Sequence, residues 1–234
     1  MTDTAIILAG GLGTRLRDVI GELPKPLAPV QGRPFIAWQL DLLAAQGIHT
    51  VVLATGYCAA QFRDALGESW GAMRLVHAPE CEPLGTGGAI AHAAPHVNGH
   101  SVFVLNGDTY LRLNLDAFAQ AMQLQCAWAG MALVHVDDAA RFGSVLCSED
   151  RVTGFAEKGR DGPGWINGGV YWFSPAALGN LAIGAAFSFE RDTLPEWIRR
   201  RRLGAYRDTH DFIDIGTPDS YLAICSGNVK LSDS

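Results

Sequence analysis

Basic residues are scarce in this sequence of 234 residues. Its 18 lysines and arginines stand against 24 aspartates and glutamates, which gives a formal net charge of −6. A chain without a basic excess cannot neutralise the phosphates of DNA or RNA, so we predict no nucleic-acid partner. The basic run Arg199–Arg202 falls at the end of a predicted helix, where cations interact favourably with the helix dipole.

Cysteines and long apolar stretches are also in short supply. The five cysteines are odd in number and contain no C-x-x-C pair, which argues against a disulfide framework and against a zinc knuckle. No apolar run is long enough to cross a bilayer, and the first residues lack the basic and apolar regions of a signal peptide. We therefore predict a cytoplasmic protein with no membrane partner, and we leave open whether it forms a homo-oligomer.

Strand-like and helix-like segments alternate in the first half of the chain. Apolar runs at Thr4–Leu8 and Thr50–Ala54 enclose a helical pattern at Pro34–Gly47, which starts with proline and ends with glycine. Similar alternation continues to residue 125. Strands that are continuously apolar and separated by helices predict a parallel sheet covered on both faces. Ligands of such sheets bind at the carboxyl ends of the strands.

The second half of the chain changes character. Short strand-like runs separated by turn residues predict a mixed or antiparallel extension of the same sheet. Helical patterns at Phe189–Arg201 and Thr217–Gly227 follow, the second with Thr217 as its N-cap. We therefore expect one α/β domain over residues 1–234, with a Rossmann-like, mixed, mostly parallel sheet flanked by helices.

A glycine-rich segment, AGGLGTRLRDVIGELPKPLAP at residues 9–29, follows the first predicted strand. Glycine has no Cβ, so such a turn lets a ligand approach the backbone and can direct several N–H groups at one anion. Arg15 adds a planar guanidinium, and Lys25 adds a charge on a backbone restricted by the prolines on either side. The combination fits a polyphosphate. An ordinary glycine turn with two solvated cations is the open alternative.

Two familiar phosphate motifs do not match this segment. The P-loop pattern needs a lysine directly after its last glycine, and no lysine stands there. The dinucleotide fingerprint G-x-G-x-x-G has Leu16 in place of its third glycine. The segment therefore indicates phosphate binding of another kind.

Two aspartates are candidates for a site with a hard cation. Asp108 ends the predicted strand VFVLNGD, and Mg²⁺ prefers carboxylate oxygens with water and phosphate as its other ligands. Asp214 lies between isoleucines in FIDIGTP, so an inward carboxylate there needs a partner. Capping of a turn by Asp108 and pairing of Asp214 with an arginine are the open alternatives.

The motif LAGGLGTRL…PKPLAPV resembles the signature of the sugar-1-phosphate nucleotidyltransferases. The resemblance continues through PLGTGGAI, LNGDTY, FAEK, INGGVYWF and FIDIGTPDSY, and so covers nearly the whole chain. Within that family the sequence most resembles the D-glycero-D-manno-heptose 1-phosphate guanylyltransferases, through LPKPLAPV and FSFERD among others. The resemblance implies a GT-A-like nucleotidyltransferase fold. It also implies a reaction that joins a nucleoside triphosphate to a sugar 1-phosphate, releases pyrophosphate and supplies surface polysaccharide such as capsule. The segment VIGEL departs from the family, since many members have a threonine there.

The resemblance also implies a role for each motif residue. Asp108 and Asp214 would share one Mg²⁺, and PLGTGGAI would approach the base and open a helix towards phosphate. Residues 1–130 would form the nucleotide-binding half and residues 131–227 the sugar-phosphate half. The implied catalytic residues are Arg15, Lys25, Asp108 and Lys158; the nucleotide-binding residues are Leu8, Ala9, Gly10, Gly11, Gly13, Thr14, Gly85, Thr86 and Asn106; and the sugar-phosphate-binding residues are Gly143, Glu157, Lys158, Asn167 and Gly168.

Three other functions remain open at this point. Mannose-1-phosphate guanylyltransferases and uridylyltransferases that act on amino-sugar 1-phosphates share most of these motifs. A non-catalytic nucleotide-sugar sensor that kept the fold is a candidate of a different class. Such a binder would not need both metal carboxylates, so the joint presence of Arg15, Lys25, Asp108, Lys158 and Asp214 favours an enzyme.

Overall fold

A computed structural model describes residues 2–11, 13–56, 58–97, 100–156, 162–226 and 231. Its strands are β1 (Thr4–Leu8), β2 (Pro29–Val30), β3 (Arg33–Pro34), β4 (Thr50–Thr55), β5 (Ser69–Trp70), β6 (Met73–Pro79), β7 (Val102–Asn106), β8 (Thr109–Leu113), β9 (Ala129–Val136), β10 (Val145–Ser148), β11 (Arg151–Phe155), β12 (Gly164–Phe173), β13 (Leu203–Tyr206) and β14 (Thr209–Asp214).

The helices alternate with these strands. They are α1 (Arg17–Ile20), α2 (Phe35–Ala45), α3 (Ala59–Leu66), α4 (Gly85–Ala93), α5 (Leu115–Leu124), α6 (Pro175–Gly179), α7 (Leu194–Arg199) and α8 (Pro218–Cys225). Three short 3₁₀ turns span Thr14–Leu16, Lys25–Leu27 and Ala94–Val97. Within the described ranges, no helix combines the length and the apolar character needed to cross a membrane.

Ten strands form one sheet in the order β10-β11-β13-β9-β12-β7-β1-β4-β6-β5. Its β7-β1-β4-β6 part is parallel, whereas β12 runs antiparallel to both β7 and β9. Strands β10 and β11 are also antiparallel to each other. This arrangement confirms the predicted mixed sheet with an antiparallel extension. Helices on both faces bury the continuously apolar parallel strands.

Alternate residues of β1 belong to different cores. Ile7 packs on one face of the sheet in a cluster with Leu40 of α2 and Phe118 of α5. Ile6 packs on the other face in a cluster with Ile90 of α4. Successive side chains of a strand point to opposite faces, so a strand buried on both sides must be apolar at every position. This is why the continuously apolar run TAIIL is typical of a strand covered on both faces.

The predicted helical character of Phe189–Arg201 is confirmed from Phe189 to Arg199, but the segment combines two kinds of helix. A π-helical segment spans Phe189–Thr193, and α7 begins at Leu194 with Pro195 in its first turn. Proline has no backbone N–H and is tolerated at the start of a helix but not in its interior. The last predicted helix is confirmed as α8, and the Thr217 hydroxyl accepts a hydrogen bond from the Ser220 N–H as an N-cap.

Candidate nucleotide site

A cavity of about 420 Å³ lies at the carboxyl ends of the parallel strands. Strand β1 is hydrogen-bonded to β4 on one side and to β7 on the other, which is the switch point where ligands of open α/β sheets bind. The lining residues come from the ends of four strands, from α4 and from the π-helical segment. They are Leu8, Ala9, Gly10, Gly11, Gly13, Lys25, Pro26, Ala54, Glu80, Pro83, Gly85, Thr86, Ala89, Asn106, Gly107, Asp108 and Glu190.

The loops at this edge pack through their backbones. The Gly107 N–H donates to the Leu8 carbonyl oxygen at 3.0 Å, so the turns after β7 and β1 are in direct contact. A Cβ on Gly107 would come within 2.7 Å of that same oxygen. Residue 107 must therefore be glycine for the two strand ends to approach this closely. The close approach brings the Asp108 turn against the glycine-rich loop.

Lys25 is fixed between the glycine-rich loop and the β7 turn. It opens the 3₁₀ turn Lys25–Leu27, in which the Leu27 N–H donates to the Pro24 carbonyl at 2.8 Å. Its side chain is 15% exposed, and its ammonium donates to Asp108 Oδ2 at 2.9 Å. A cation with little access to water needs such a partner. The two predicted catalytic residues Lys25 and Asp108 therefore lie together on the cavity wall.

A buried glutamine holds the turn that carries Asp108. Gln39 of α2 is 1% exposed, and its amide nitrogen donates to the Asn106 carbonyl at 2.9 Å and to the Thr109 carbonyl at 2.6 Å. These two hydrogen bonds fix the backbone on both sides of Asp108. Sequence analysis missed Gln39, because a polar residue within an apolar helical pattern does not reveal which turn it contacts.

Asp214 lies beside Asp108 in a two-stranded ribbon of β8 and β14. Asp214 stands opposite Thr109 in the register, and the Ile215 N–H donates to the Asp108 carbonyl at 3.0 Å. The Arg141 guanidinium donates to Asp214 Oδ2 at 3.3 Å. The pairing of Asp214 with an arginine, left open by the sequence, is therefore observed, and the predicted proximity of the two acids is observed with it.

The environment of Asp214 disfavours its charged form. Burial raises the pKa of the Asp214 carboxyl above its ordinary value, and a hydrogen bond from the Gly216 N–H lowers it. The Asp108 carboxylate raises this pKa further, whereas the charges of Arg141 and Lys25 lower it. Asp108 lines the cavity, and two carboxylates close enough to repel each other form a site that a cation would stabilise.

Two further carboxylates, Glu80 and Glu190, line the cavity. Glu80 follows β6 and accepts a hydrogen bond on Oε2 from the Leu84 N–H at 2.9 Å. Within the described part of the chain, its Oε1 accepts no hydrogen bond. Glu190 Oε2 accepts from the hydroxyls of Thr86 at 2.6 Å and Ser188 at 3.2 Å. Neither glutamate was among the predicted site residues, although Glu80 could have been found as a polar residue at a strand's carboxyl end.

The start of α4 is packed against the segment before Phe189. Gly85 has φ +69°, and a Cβ there would lie 2.6 Å from the Phe187 carbonyl oxygen. That oxygen accepts hydrogen bonds from the N–H groups of Gly87 at 3.0 Å and Gly88 at 3.3 Å. These two amides are therefore engaged within the protein, while Gly85 and Thr86 line the cavity, and the opening of this helix towards phosphate stays a prediction.

Three of the predicted sugar-side residues, Gly143, Asn167 and Gly168, are absent from this cavity wall. Asn167 donates to the Tyr171 hydroxyl at 2.5 Å and accepts from the Gly169 N–H at 3.0 Å. Gly168 is buried in an irregularity of β12, where a Cβ would lie 2.7 Å from Leu111. Gly143 has φ +83° and closes a turn onto Ala139, its N–H donating at 2.9 Å. Glu157 and Lys158 lie outside the described residues.

The structure thus brings together most of the predicted nucleotide-side residues. Leu8, Ala9, Gly10, Gly11, Gly13 and Asn106 line the cavity with Lys25 and Asp108. Arg15 is exposed on the 3₁₀ turn Thr14–Leu16 and is not on the cavity wall, so its predicted contact with phosphate stays a prediction. Thr14 opens that turn, and its side chain lies outside the described part.

Comparison with known proteins agrees with this geometry. The D-glycero-alpha-D-manno-heptose 1-phosphate guanylyltransferase of Aneurinibacillus thermoaerophilus is 39% identical over 93% of this chain and 94% of its own. The protein of that name from Campylobacter jejuni is 36% identical over 96% of this chain and 99% of its own. The crystal structure of HddC from Yersinia pseudotuberculosis complexed with GMP-PN is 34% identical, with a TM-score of 0.85 over 97% of this chain and 100% of that one.

A family model for nucleotidyl transferases matches residues 4–229, which includes the residues of the cavity together with Asp108 and Asp214, which we call the acid pair. The match spans nearly all of the chain, and the relatives match over nearly all of theirs. The chain therefore belongs to the nucleotidyl transferase family.

Proposed function

We propose that this protein transfers GMP from GTP to D-glycero-α-D-manno-heptose 1-phosphate and releases pyrophosphate. The observation that carries the proposal is the match, over nearly full length, to two relatives that bear this activity in their names. The resemblance of the fold to a protein complexed with GMP-PN supports a guanine nucleotide as the ligand. As part of the proposal, the product supplies surface polysaccharide and the enzyme works in the cytoplasm.

The glutamate on the cavity wall supports guanine as the base. Guanine presents two neighbouring donors, N1–H and the exocyclic amine, and a carboxylate can accept from both at once. Glu80 has one oxygen engaged by Leu84, and its Oε1 accepts nothing from the described residues. Glu190 accepts two hydroxyl hydrogen bonds on its Oε2, from Thr86 and Ser188, whereas Glu80 accepts a single backbone N–H, so Glu80 is the less engaged of the two. We therefore assign recognition of guanine to Glu80.

The wall formed by Lys25 and the glycine-rich loop supports binding of the triphosphate. The backbone of Gly10, Gly11 and Gly13 lines the cavity, and glycine leaves N–H groups accessible to phosphate oxygens. Lys25 supplies a positive charge with low exposure, where it acts more strongly than in bulk water. We keep Arg15 as a second cation for the triphosphate, reached from its exposed turn.

The acid pair fits a magnesium ion. No cluster of three or more acidic, histidine or cysteine side chains suited to a metal occurs among the described residues. Mg²⁺ is usually bound by one or two carboxylates and completes its shell with water and substrate phosphates. Asp108 and Asp214 supply such a pair, and their mutual repulsion favours a cation. When bound, the ion would neutralise charge on the phosphates.

The chemistry needs positioning more than proton transfer. An oxygen of the sugar 1-phosphate attacks the α-phosphorus of GTP, and a new P–O bond forms as the bond to the β-phosphate oxygen breaks. Pyrophosphate leaves with that electron pair. The attacking oxygen is already anionic, so no general base is required. Lys25 would hold the departing phosphates, and rate enhancement would come from alignment and charge neutralisation.

The sugar side remains a set of predictions. We assign the sugar 1-phosphate to residues 131–227 and the nucleotide to residues 1–130, with Glu190 reaching across to the nucleotide cavity. In this proposal Lys158 binds the phosphate. The sugar hydroxyls would contact Gly143, Glu157, Asn167 and Gly168.

Measurement of pyrophosphate release tests the proposal. Each of GTP, ATP, UTP and dTTP is combined with heptose, mannose, glucose and N-acetylglucosamine 1-phosphates in the presence of Mg²⁺. We expect the highest kcat/KM for GTP with the heptose 1-phosphate. Preference for mannose 1-phosphate, or for UTP with an amino sugar, would replace the proposed substrates. Release with no pair would favour the non-catalytic sensor.

A further inference from the structure

Arg141 is a cation near the acid pair that the sequence motifs did not single out. It lies in the loop between β9 and β10, and its side chain is 43% exposed. Among the described residues its guanidinium makes two polar contacts, both through Nη2, to Asp214 Oδ2 at 3.3 Å and to the Ser220 hydroxyl at 3.3 Å. The guanidinium carbon lies 4.8 Å from the centroid of the Phe142 ring.

These contacts use few of the hydrogen-bond donors of the guanidinium. Arginine has five N–H donors in a planar fork that matches carboxylate or phosphate with two parallel bonds. Arg141 instead reaches Asp214 through one nitrogen at the long end of the hydrogen-bond range. The guanidinium is 43% exposed, so water competes for its donors and weakens this pair. Asp214 is also an acid that we assign to the metal, and its oxygen cannot bind the metal and keep a full hydrogen bond from Arg141 at the same time.

Arg141 and Lys25 stand in different places relative to the acid pair. Lys25 pairs with Asp108 on the wall of the nucleotide cavity, whereas Arg141 pairs with Asp214 and is absent from that wall. The two cations are therefore not equivalent. Lys25 is placed for the triphosphate, and Arg141 comes from the part of the chain assigned to the sugar, two residues before Gly143. The sugar 1-phosphate must bring a dianion to this side of the acid pair to react.

We propose that Arg141 binds the phosphate of the sugar 1-phosphate, and that Asp214 holds this side chain in place until a divalent cation takes the carboxylate. This inference rests on the proposed function. It adds a second cation for the nucleophile, in addition to the predicted role of Lys158. The ligand of Arg141 is a phosphomonoester, to which the planar guanidinium can donate two parallel hydrogen bonds.

Arg141→Gln tests the proposal, with Arg112→Gln as the matched control. Arg112 forms an arginine–aspartate pair with Asp211 at 3.1 Å, with similar exposure, outside the acid pair. We expect Arg141→Gln to raise KM for the sugar 1-phosphate by roughly 10- to 100-fold, as for loss of a charged hydrogen bond, and to leave KM for GTP within about twofold. Arg141→Lys should give an intermediate KM. Arg112→Gln should change neither value.

Binding of Mn²⁺ to the substrate-free protein, followed by electron paramagnetic resonance, provides a second readout. We expect Arg141→Gln to bind Mn²⁺ at least as tightly as the wild type, because the competing charge is gone. An unchanged KM for the sugar phosphate, an equal rise in both KM values, or weaker Mn²⁺ binding would overturn the inference. Should Arg141→Gln not fold, the KM of Arg141→Lys decides alone. Absence of pyrophosphate release by the wild type would instead count against the proposed function.

Discussion

Lys25 Nζ lies 2.9 Å from Asp108 Oδ2, across 83 residues of sequence. The pair joins the glycine-rich loop to the end of β7 and places one positive and one negative group on the same cavity wall. The ammonium has three N–H donors and Asp108 accepts from one of them, so the charge of Lys25 acts most strongly on phosphates when a divalent cation neutralises that carboxylate. The nucleotide and the divalent ion should therefore bind cooperatively, because the phosphates neutralise Lys25 and the ion neutralises Asp108.

Asp108→Asn should prevent residue 108 from pairing with Lys25 or with a divalent cation. The amide keeps the size of the side chain but offers no charge to a cation or to Lys25. We expect kcat for pyrophosphate release to fall by about 10²–10³-fold, as for loss of one preorganised charge contact, with the fold retained. Asp116→Asn, an exposed acid in the first turn of α5, is the control and should retain wild-type kcat. Near wild-type turnover by Asp108→Asn would contradict the assignment.

Glu80→Gln should erase discrimination between GTP and ITP. ITP lacks the exocyclic amine of guanine, so a carboxylate that accepts from this amine makes the wild type prefer GTP. The glutamine has one acceptor oxygen in place of two, and its NH₂ group cannot accept from the base. We expect the ratio of kcat/KM for GTP to that for ITP to fall by roughly tenfold in the variant, which corresponds to one hydrogen bond.

Glu82→Gln is the matched control for this measurement. Glu82 is exposed, lies two residues further along and is not on the cavity wall. Its GTP to ITP ratio should equal that of the wild type. A ratio that Glu80→Gln leaves unchanged would exclude Glu80 as the reader of the exocyclic amine and direct attention to Glu190.

The parts of the site that follow strands directly were predictable from sequence. Glycines and acids placed after apolar runs must gather at one edge of a parallel sheet, and Gly10 and Asp108 do so. Contacts between residues far apart in sequence were not predictable, because they depend on how distant elements pack and no local pattern marks them. Examples are the hydrogen bond from Gln39 to the turn of Asp108, the ion pair of Arg141 with Asp214, and the position of Glu190.

Gly85→Ala should destabilise the protein more than Gly47→Ala. Both glycines have positive φ, +69° and +77°, so alanine is strained at either position by about 1–2 kcal/mol. At Gly47 a Cβ meets nothing within 4 Å, whereas at Gly85 it meets the Phe187 carbonyl at 2.6 Å. The excess loss in unfolding free energy of Gly85→Ala, measured in urea, isolates this clash. Equal losses would show that the segment at Phe187 yields without cost.

Asp214→Asn should change how stability depends on pH in metal-free protein. Burial raises the pKa of Asp214, so the folded state retains this proton to higher pH than the unfolded chain does. The unfolding free energy therefore falls as pH rises from the ordinary carboxyl pKa through the raised value. Asparagine does not titrate. The difference in Tm, variant minus wild type, should grow with pH across this window in EDTA and then level off. Asp211→Asn, an exposed acid on the same strand, should show no such growth. A difference that shrinks with pH would mean that the attraction of Arg141 and Lys25 outweighs burial at Asp214.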